Sequence, residues 1–150
     1  MSEGLDNIDR VILETLQDDA RTALRKIAEK TGVSEATIFA RVKKLQEKGV
    51  IKRFTALVSP ELLGKSLTAF VLINTNPKSL QTVLVSLQGM NDVYEAYDIT
   101  GSFYAIAKIR ACNREELAKI IDQIGLIDGV TSTETAIVLR CIKEETRVKI

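Results

Sequence analysis

Through the first third of the chain apolar side chains return every three or four residues. Beyond it strand-like stretches appear, first alone and then alternating with helical ones, and the change of period separates two kinds of element. Ile8, Val11, Ile12, Thr15 and Leu16 predict a helix over 6–18, with Asp6 and Asp9 placed to cap its first turn. Leu24, Ile27 and Ala28 predict a second helix over 22–31. Ile38, Val42 and Leu45 predict a third over 34–47, stopped by Gly49. Between the last two stands Thr31-Gly32-Val33-Ser34. There Gly32 can take the left-handed conformation that ends a helix, Val33 can plug the junction, and Ser34 can accept from the unpaired amides that open the third helix. That helix leaves Glu35, Thr37, Arg41, Lys43 and Lys44 on faces other than the apolar one.

From Val50 the pattern is that of strands, and 50–58 ends at Ser59-Pro60, so it reads as a hinge strand between two domains. A strand, helix, strand order then appears twice. The first copy is 67–74, then 78–88 with Leu80, Val83, Leu84 and Leu87 on one face, then 93–99. The second is 103–110, then 114–124 with Leu117, Ile120, Ile121 and Ile124 on one face, then 130–141. Asn113 and Glu116 form a capping-box pair at the start of the last helix. The copies are offset by 36 residues, as expected of a duplicated unit. The expected fold is α+β: an N-terminal helix-turn-helix, winged-helix-like domain at 1–50, a hinge strand and linker at 51–65, and a βαββαβ ferredoxin-like domain at 66–150. Both helices of such a sheet lie on one face. The other is rich in Val, Ile, Leu and Ala and is expected to pack on another subunit.

Charge sharpens the picture. The net charge of +1 divides into −5 over residues 1–20, +7 over residues 21–53 and −1 over the rest. A basic segment of that size in a nearly neutral chain points to an anionic partner, nucleic acid foremost, whereas a merely solvated helix surface does not explain the clustering. A short glycine turn leading into a serine-capped basic helix fits the geometry that places the second helix in the major groove. Cys112 and Cys141 lie far apart and histidine is absent, so neither a disulfide framework nor a Cys/His zinc site is expected. Both cysteines are expected to be buried. No apolar run approaches the roughly 18 residues of a membrane-spanning helix, and the opening MSEGLDNIDR lacks a secretory layout, so the expected location is the cytoplasm.

Catalysis is not expected. Leu63-Gly64-Lys65-Ser66 imitates the end of a phosphate-binding loop, but Ser59 occupies the place of its first glycine, and there is no GxGxxG, GxSxG or histidine-based triad. Asp98-Ile99-Thr100-Gly101-Ser102 joins the two repeats and reads as a β-turn with glycine at positive φ. Thr131-Ser132-Thr133-Glu134-Thr135 is poor in apolar residues for a half-buried strand. A polar strand start beside a loop of unpaired amides can line a site for a zwitterion.

These residues resemble the Lrp/AsnC, or feast/famine, transcription regulators of bacteria and archaea over nearly the whole chain. Leu5-Asp6-Asn7-Ile8-Asp9-Arg10-Val11-Ile12-Leu13 resembles the family's opening helix. Asp19-Ala20-Arg21, Ile27-Ala28, Gly32-Val33-Ser34, Thr37-Ile38, Arg41-Val42-Lys43-Lys44-Leu45 and Gly49-Val50-Ile51 resemble its helix-turn-helix. Ser59-Pro60 with Leu63-Gly64 resembles the turn after the hinge strand, and Thr100-Gly101 the ligand loop. The resemblance implies a regulator, not an enzyme, with no cofactor or metal. It implies a homodimer, commonly four dimers to a ring, with an amino-acid effector bound between dimers. Double-stranded DNA is the expected partner: Ser34, Glu35 and Thr37 near base edges, Arg41, Lys43 and Lys44 nearer phosphates, and Arg21 among the contacts. The implied ligand residues are Asp98, Ile99, Thr100, Gly101, Ser102 and Tyr104 with Thr131, Ser132, Thr133 and Glu134. Where the family often has two aspartates after Thr-Gly, this chain has Ser102 and Tyr104. An anionic partner for a lysine or arginine effector is therefore missing, and a neutral polar amino acid is expected, glutamine first and asparagine second. The alternative is an amino-acid-binding regulatory subunit of an enzyme, whose N-terminal helices grip a protein instead of DNA.

Overall fold

The computed structural model describes residues 4–150, which fall into two compact units: residues up to Leu57 together with Glu144–Ile150, and Val58–Lys143.

The first unit holds helices α1 (Asn7–Asp18), α2 (Leu24–Thr31) and α3 (Glu35–Glu47). Asp6 accepts from the Asp9 amide and Asp9 accepts in return from the Asp6 amide, so the opening turn of α1 is a complete capping box. Ile12, Ile27 and Ile38, one from each helix, are fully buried and form the centre of a core completed by Leu13, Ala28, Val42 and Leu45. The tail belongs here as well. The Gln17 carboxamide donates to the Val148 carbonyl at 3.0 Å and accepts its amide at 2.7 Å, and Arg147 pairs with Asp18 at 2.8 Å. The second unit thus ends at Lys143, earlier than the sequence reading places it.

The second unit carries β1 (Leu67–Thr75), α4 (Leu80–Gln88), β2 (Val93–Asp98), β3 (Ala105–Ala111), α5 (Arg114–Gly125) and β4 (Val130–Ile137). The strands form one antiparallel sheet in the order β2-β3-β1-β4, the expected βαββαβ arrangement. Alternate residues Ala69, Val71 and Ile73 of β1 and Ala105, Ala107, Ile109 and Ala111 of β3 are buried with Val83 and Leu87 of α4 and Leu117, Ile120 and Ile124 of α5. Neither helix of this unit lies over the opposite face. There Phe70 lies between Lys108 and Ala136, and Leu72 between Ile106 and Glu134.

Among the boundaries that differ from the sequence pattern, α2 starts at Leu24 and β3 at Ala105, each two residues late, and three others bear on the fold. Residues 52–58 form no strand, although β-branched and aromatic residues favour one. A strand needs a neighbour, and this segment pairs with none of the four in its own chain. β4 stops at Ile137, paired with Ala69, because after Val138 donates to Thr68 the adjoining strand is used up. α4 begins at Leu80, preceded by a single 3₁₀ turn, Pro77–Ser79, with proline at its first position. No helix among the described residues is long and apolar enough to cross a membrane.

Candidate DNA-reading helix and ligand loop

The turn before α3 is built as its four residues require. Gly32 has φ of 72°, a conformation costly for a residue with a Cβ, and its amide donates to Ala28. Ser34 then adopts extended backbone and accepts from the Thr37 amide at 3.1 Å, its hydroxyl lying 2.8 Å from that of Thr37. Ser34, Glu35, Thr37, Lys43 and Lys44 are all exposed on the helix so capped. Lys43 reaches Glu47 one turn on, at 3.9 Å. Arg21 stands apart in the α1–α2 turn, almost fully exposed and paired with Asp19 at 3.3 Å.

Arg41, expected nearer phosphates, is paired with two carboxylates of its own unit. Its Nη1 lies 2.6 Å from Asp6 Oδ2 and 2.9 Å from Asp9 Oδ1, and less than a third of its side chain is exposed. The cation therefore ties α3 to the capping box of α1. The hydrogen bonds that Arg41 donates to Asp6 and then to Asp9 raise its pKa. The Asp9 amide first, and then Arg41, hold the Asp6 carboxyl below its ordinary value. Sequence reasoning missed a second feature of α3: Phe39 is 61 % exposed. Its signal was present, an aromatic residue one position off the stripe of Ile38, Val42 and Leu45.

In the second unit the loop between β2 and β3 is closed by two backbone bonds: Ile99 donates to Tyr104 at 3.0 Å and Tyr104 to Ile73 at 3.1 Å. Gly101 at the tip has φ of 123°, as the turn reading expects. The amides of Thr100, Gly101 and Ser102 find no partner among the described residues, and Thr100, Gly101, Ser102 and Tyr104 are exposed. The polar start of β4 lies at the same end of the sheet. Within one chain, however, it does not meet this loop. β2 and β4 are the two outer strands, and the register Asp98, Ala105, Ile73, Thr133 runs across the whole sheet, roughly 14 Å at ordinary strand spacing. Glu134 is registered with Leu72 on the uncovered face, whereas Asp98 shares its row with Ala105 on the helix-covered one. Thr131 falls at a bulge, and Ser132 accepts from Asn74 at 3.4 Å. The structure therefore separates the two halves of the expected site within a chain.

Lys65, in the segment that imitates the end of a phosphate loop, has an internal task. It binds Glu116 at 2.7 Å and Asp92 at 3.3 Å, and these partners raise its pKa. Glu116 also accepts the Cys112 amide. That bond, with Lys65, holds the Glu116 carboxyl down to about 2. Its carboxylate is thereby diverted from the Asn113 amide, so only half of the expected capping box forms, Asn113 accepting from Glu116 at 2.8 Å. Both cysteines are exposed, contrary to expectation. Cys112 follows the last inward-facing residue of β3, and Cys141 lies past the end of β4. The Glu116 carboxylate pushes the Cys112 thiol pKa up. Among the described residues no group of acidic or cysteine side chains could hold a metal ion.

Comparison with known proteins covers the whole molecule. The Lrp/AsnC ligand binding domain matches residues 68–148, and a winged helix-turn-helix DNA-binding domain matches residues 5–52. The HTH-type transcriptional regulator FL11 of Pyrococcus abyssi is 45 % identical, over 100 % of this chain and 99 % of its own. Among solved structures, E. coli AsnC is 36 % identical with a TM-score of 0.89, covering 95 % of this chain and 97 % of its own. The feast or famine regulatory protein of M. tuberculosis complexed with L-methionine is 26 % identical with a TM-score of 0.89, covering 96 % and 98 %.

Proposed function

The chain belongs to the Lrp/AsnC family of transcription regulators, and from that premise we propose that it reads DNA with α3 and responds to a neutral amino acid held between its subunits. It is a DNA-binding regulator with a ligand-binding domain, and its relatives are regulators rather than enzymes.

The observation that carries the reading of α3 is the Ser34 cap, which leaves Ser34, Glu35 and Thr37 exposed at the helix start with Lys43 and Lys44 two turns on. A helix entering the major groove by its N-terminal end presents the first group to base edges and the second to phosphates. Arg21, at the exposed end of the neighbouring turn, joins the phosphate contacts. The competing reading, a regulatory subunit that grips a protein, lacks a reason for the +7 charge of this segment.

Amino-acid binding is supported by the L-methionine complex of the M. tuberculosis relative and by the loop itself. The unpartnered amides of Thr100, Gly101 and Ser102 suit the effector carboxylate, and Asp98 or the partner subunit's Glu134 suits its ammonium. Ser102 and Tyr104 offer hydroxyls and no negative charge, which favours a carboxamide side chain, glutamine before asparagine. Because the loop and the β4 start lie on opposite sheet edges, a site that uses both is completed by another copy. Dimers form through the uncovered sheet face and the 51–58 segment, which gains in its own copy the strand partner it lacks, and dimers assemble further into a ring of four. The working location is the cytoplasm. Linkage then makes effector occupancy, assembly and DNA affinity reciprocal.

The test is binding to a DNA sequence selected from a random pool, with salt and all twenty amino acids varied. Affinity is expected to fall steeply with salt, and calorimetry to show glutamine tightest. Salt-independent binding, or tightest binding of lysine, overturns the corresponding half.

A further inference from the structure

We infer that Phe39 is a base-reading residue of α3 and that the base feature it reads is the C5-methyl group of thymine; the inference rests on α3 entering the major groove. At about 100° per residue, Ile38, Val42 and Leu45 define the inward side of the helix, and all three are buried. Ala36, Ala40, Lys43 and Glu47 lie on the far side, and Phe39 flanks them, 61 % exposed. Its exposed neighbours on the helix are Glu35, Ala36, Lys43 and Gln46, so the phenyl ring is the single large apolar side chain on this surface of α3.

A large apolar side chain exposed on a groove-reading helix can leave water by packing on an apolar feature of a base edge. Phenylalanine neither donates nor accepts a hydrogen bond, so the edges of guanine, cytosine and adenine offer it nothing to recognise. Thymine alone presents a methyl group in the major groove, and phenylalanine and alanine are among the side chains that pack on it. Ala36 and Ala40, one turn apart beside Phe39, are small enough for the helix axis to approach the groove floor. Lys43, one turn after Phe39, has the reach and charge to hold the flanking phosphate. Together these side chains select an A·T pair at a fixed place in each half-site.

The experiment replaces each thymine of a selected operator in turn by dU, which keeps every hydrogen bond of the base pair and removes only the methyl. The parent protein is expected to lose about fourfold in affinity at one thymine position per half-site, the effect of one methyl returned to water. F39A is expected to bind the unmodified operator as weakly as the parent binds the dU version and to be indifferent to that dU, with the salt dependence of binding unchanged. Its far-ultraviolet circular dichroism and melting temperature, which the exposed ring should not affect, confirm folding. A parent indifferent to every dU, or an F39A variant as sensitive as the parent, overturns the inference. So does an F39A variant altered only in sedimentation, because Phe39 then belongs to a protein contact. A parent that selects no sequence at all removes the DNA-reading role of α3 and the inference with it, an outcome distinct from sequence-specific binding without methyl dependence.

Discussion

Arg41 joins the reading helix to the first helix through two carboxylates, Asp6 and Asp9, one of which also caps α1 and the other of which is buried. Removing the guanidinium leaves Asp9 short of its cation and loosens the seat of α3. R41A is therefore expected to lower the melting temperature by roughly 5 °C, the scale of a lost helix cap in a small domain, while leaving the salt slope of DNA binding unchanged. K43A should do the reverse, keeping the melting temperature and reducing the salt slope by about 1 through a lost phosphate contact. Differential scanning calorimetry and anisotropy titrations at several salt concentrations separate the two. If R41A flattens the slope as K43A does, Arg41 leaves its carboxylates to meet DNA. Periodicity placed Arg41 off the buried stripe correctly, but its partners stand some thirty residues away in sequence, and no local pattern reports them.

Among the elements, the start of α5 has a pH signature. Glu116 is held to about 2, against an ordinary 4.5, by the Cys112 amide and by Lys65. The unfolded chain thus binds more protons than the folded one between about 2 and 4.5. Stability in this window rises with pH, is fully present above about 5 and is lost as pH falls through 2. E116Q keeps an acceptor for the Cys112 amide but no longer titrates, so its melting temperature is expected to depend less steeply on pH below 5 than that of the parent. Parallel curves for the two proteins would falsify this assignment. The spacing from Asn113 to Glu116 announced a helix start; where the glutamate turned was decided by Lys65, fifty-one residues earlier.

For the whole molecule, the uncovered sheet face is the feature that a single chain leaves unfinished. Leu72 lies near its middle, flanked by Ile106 and Glu134. A second carboxylate there is repelled by the first and cannot be desolvated against a partner. L72E is expected to sediment at the mass of one chain at micromolar concentration, with near-parent circular dichroism, and to bind a selected operator at least tenfold more weakly because two linked reading helices become one. An L72E protein that remains dimeric moves the interface elsewhere on the molecule.

The sequence by itself determined the three N-terminal helices, the Gly32 turn with its serine cap, the duplicated strand-helix-strand order and the concentration of positive charge. Each depends on a local period, a cap or a composition that neighbouring residues fully specify. Tertiary structure decided the rest. The 51–58 segment has strand composition and no strand, because pairing needs a second backbone. Arg41 and Lys65 became internal ties because distant carboxylates fold against them. Cys112 and Cys141 came to the surface because one follows the inward row of β3 and the other lies past the strand that β4 pairs with. The ligand loop and the polar start of β4 were both legible as segments. That they stand at opposite sheet edges follows only from the strand order β2-β3-β1-β4, since adjacency across a sheet is set by topology and not by position along the chain.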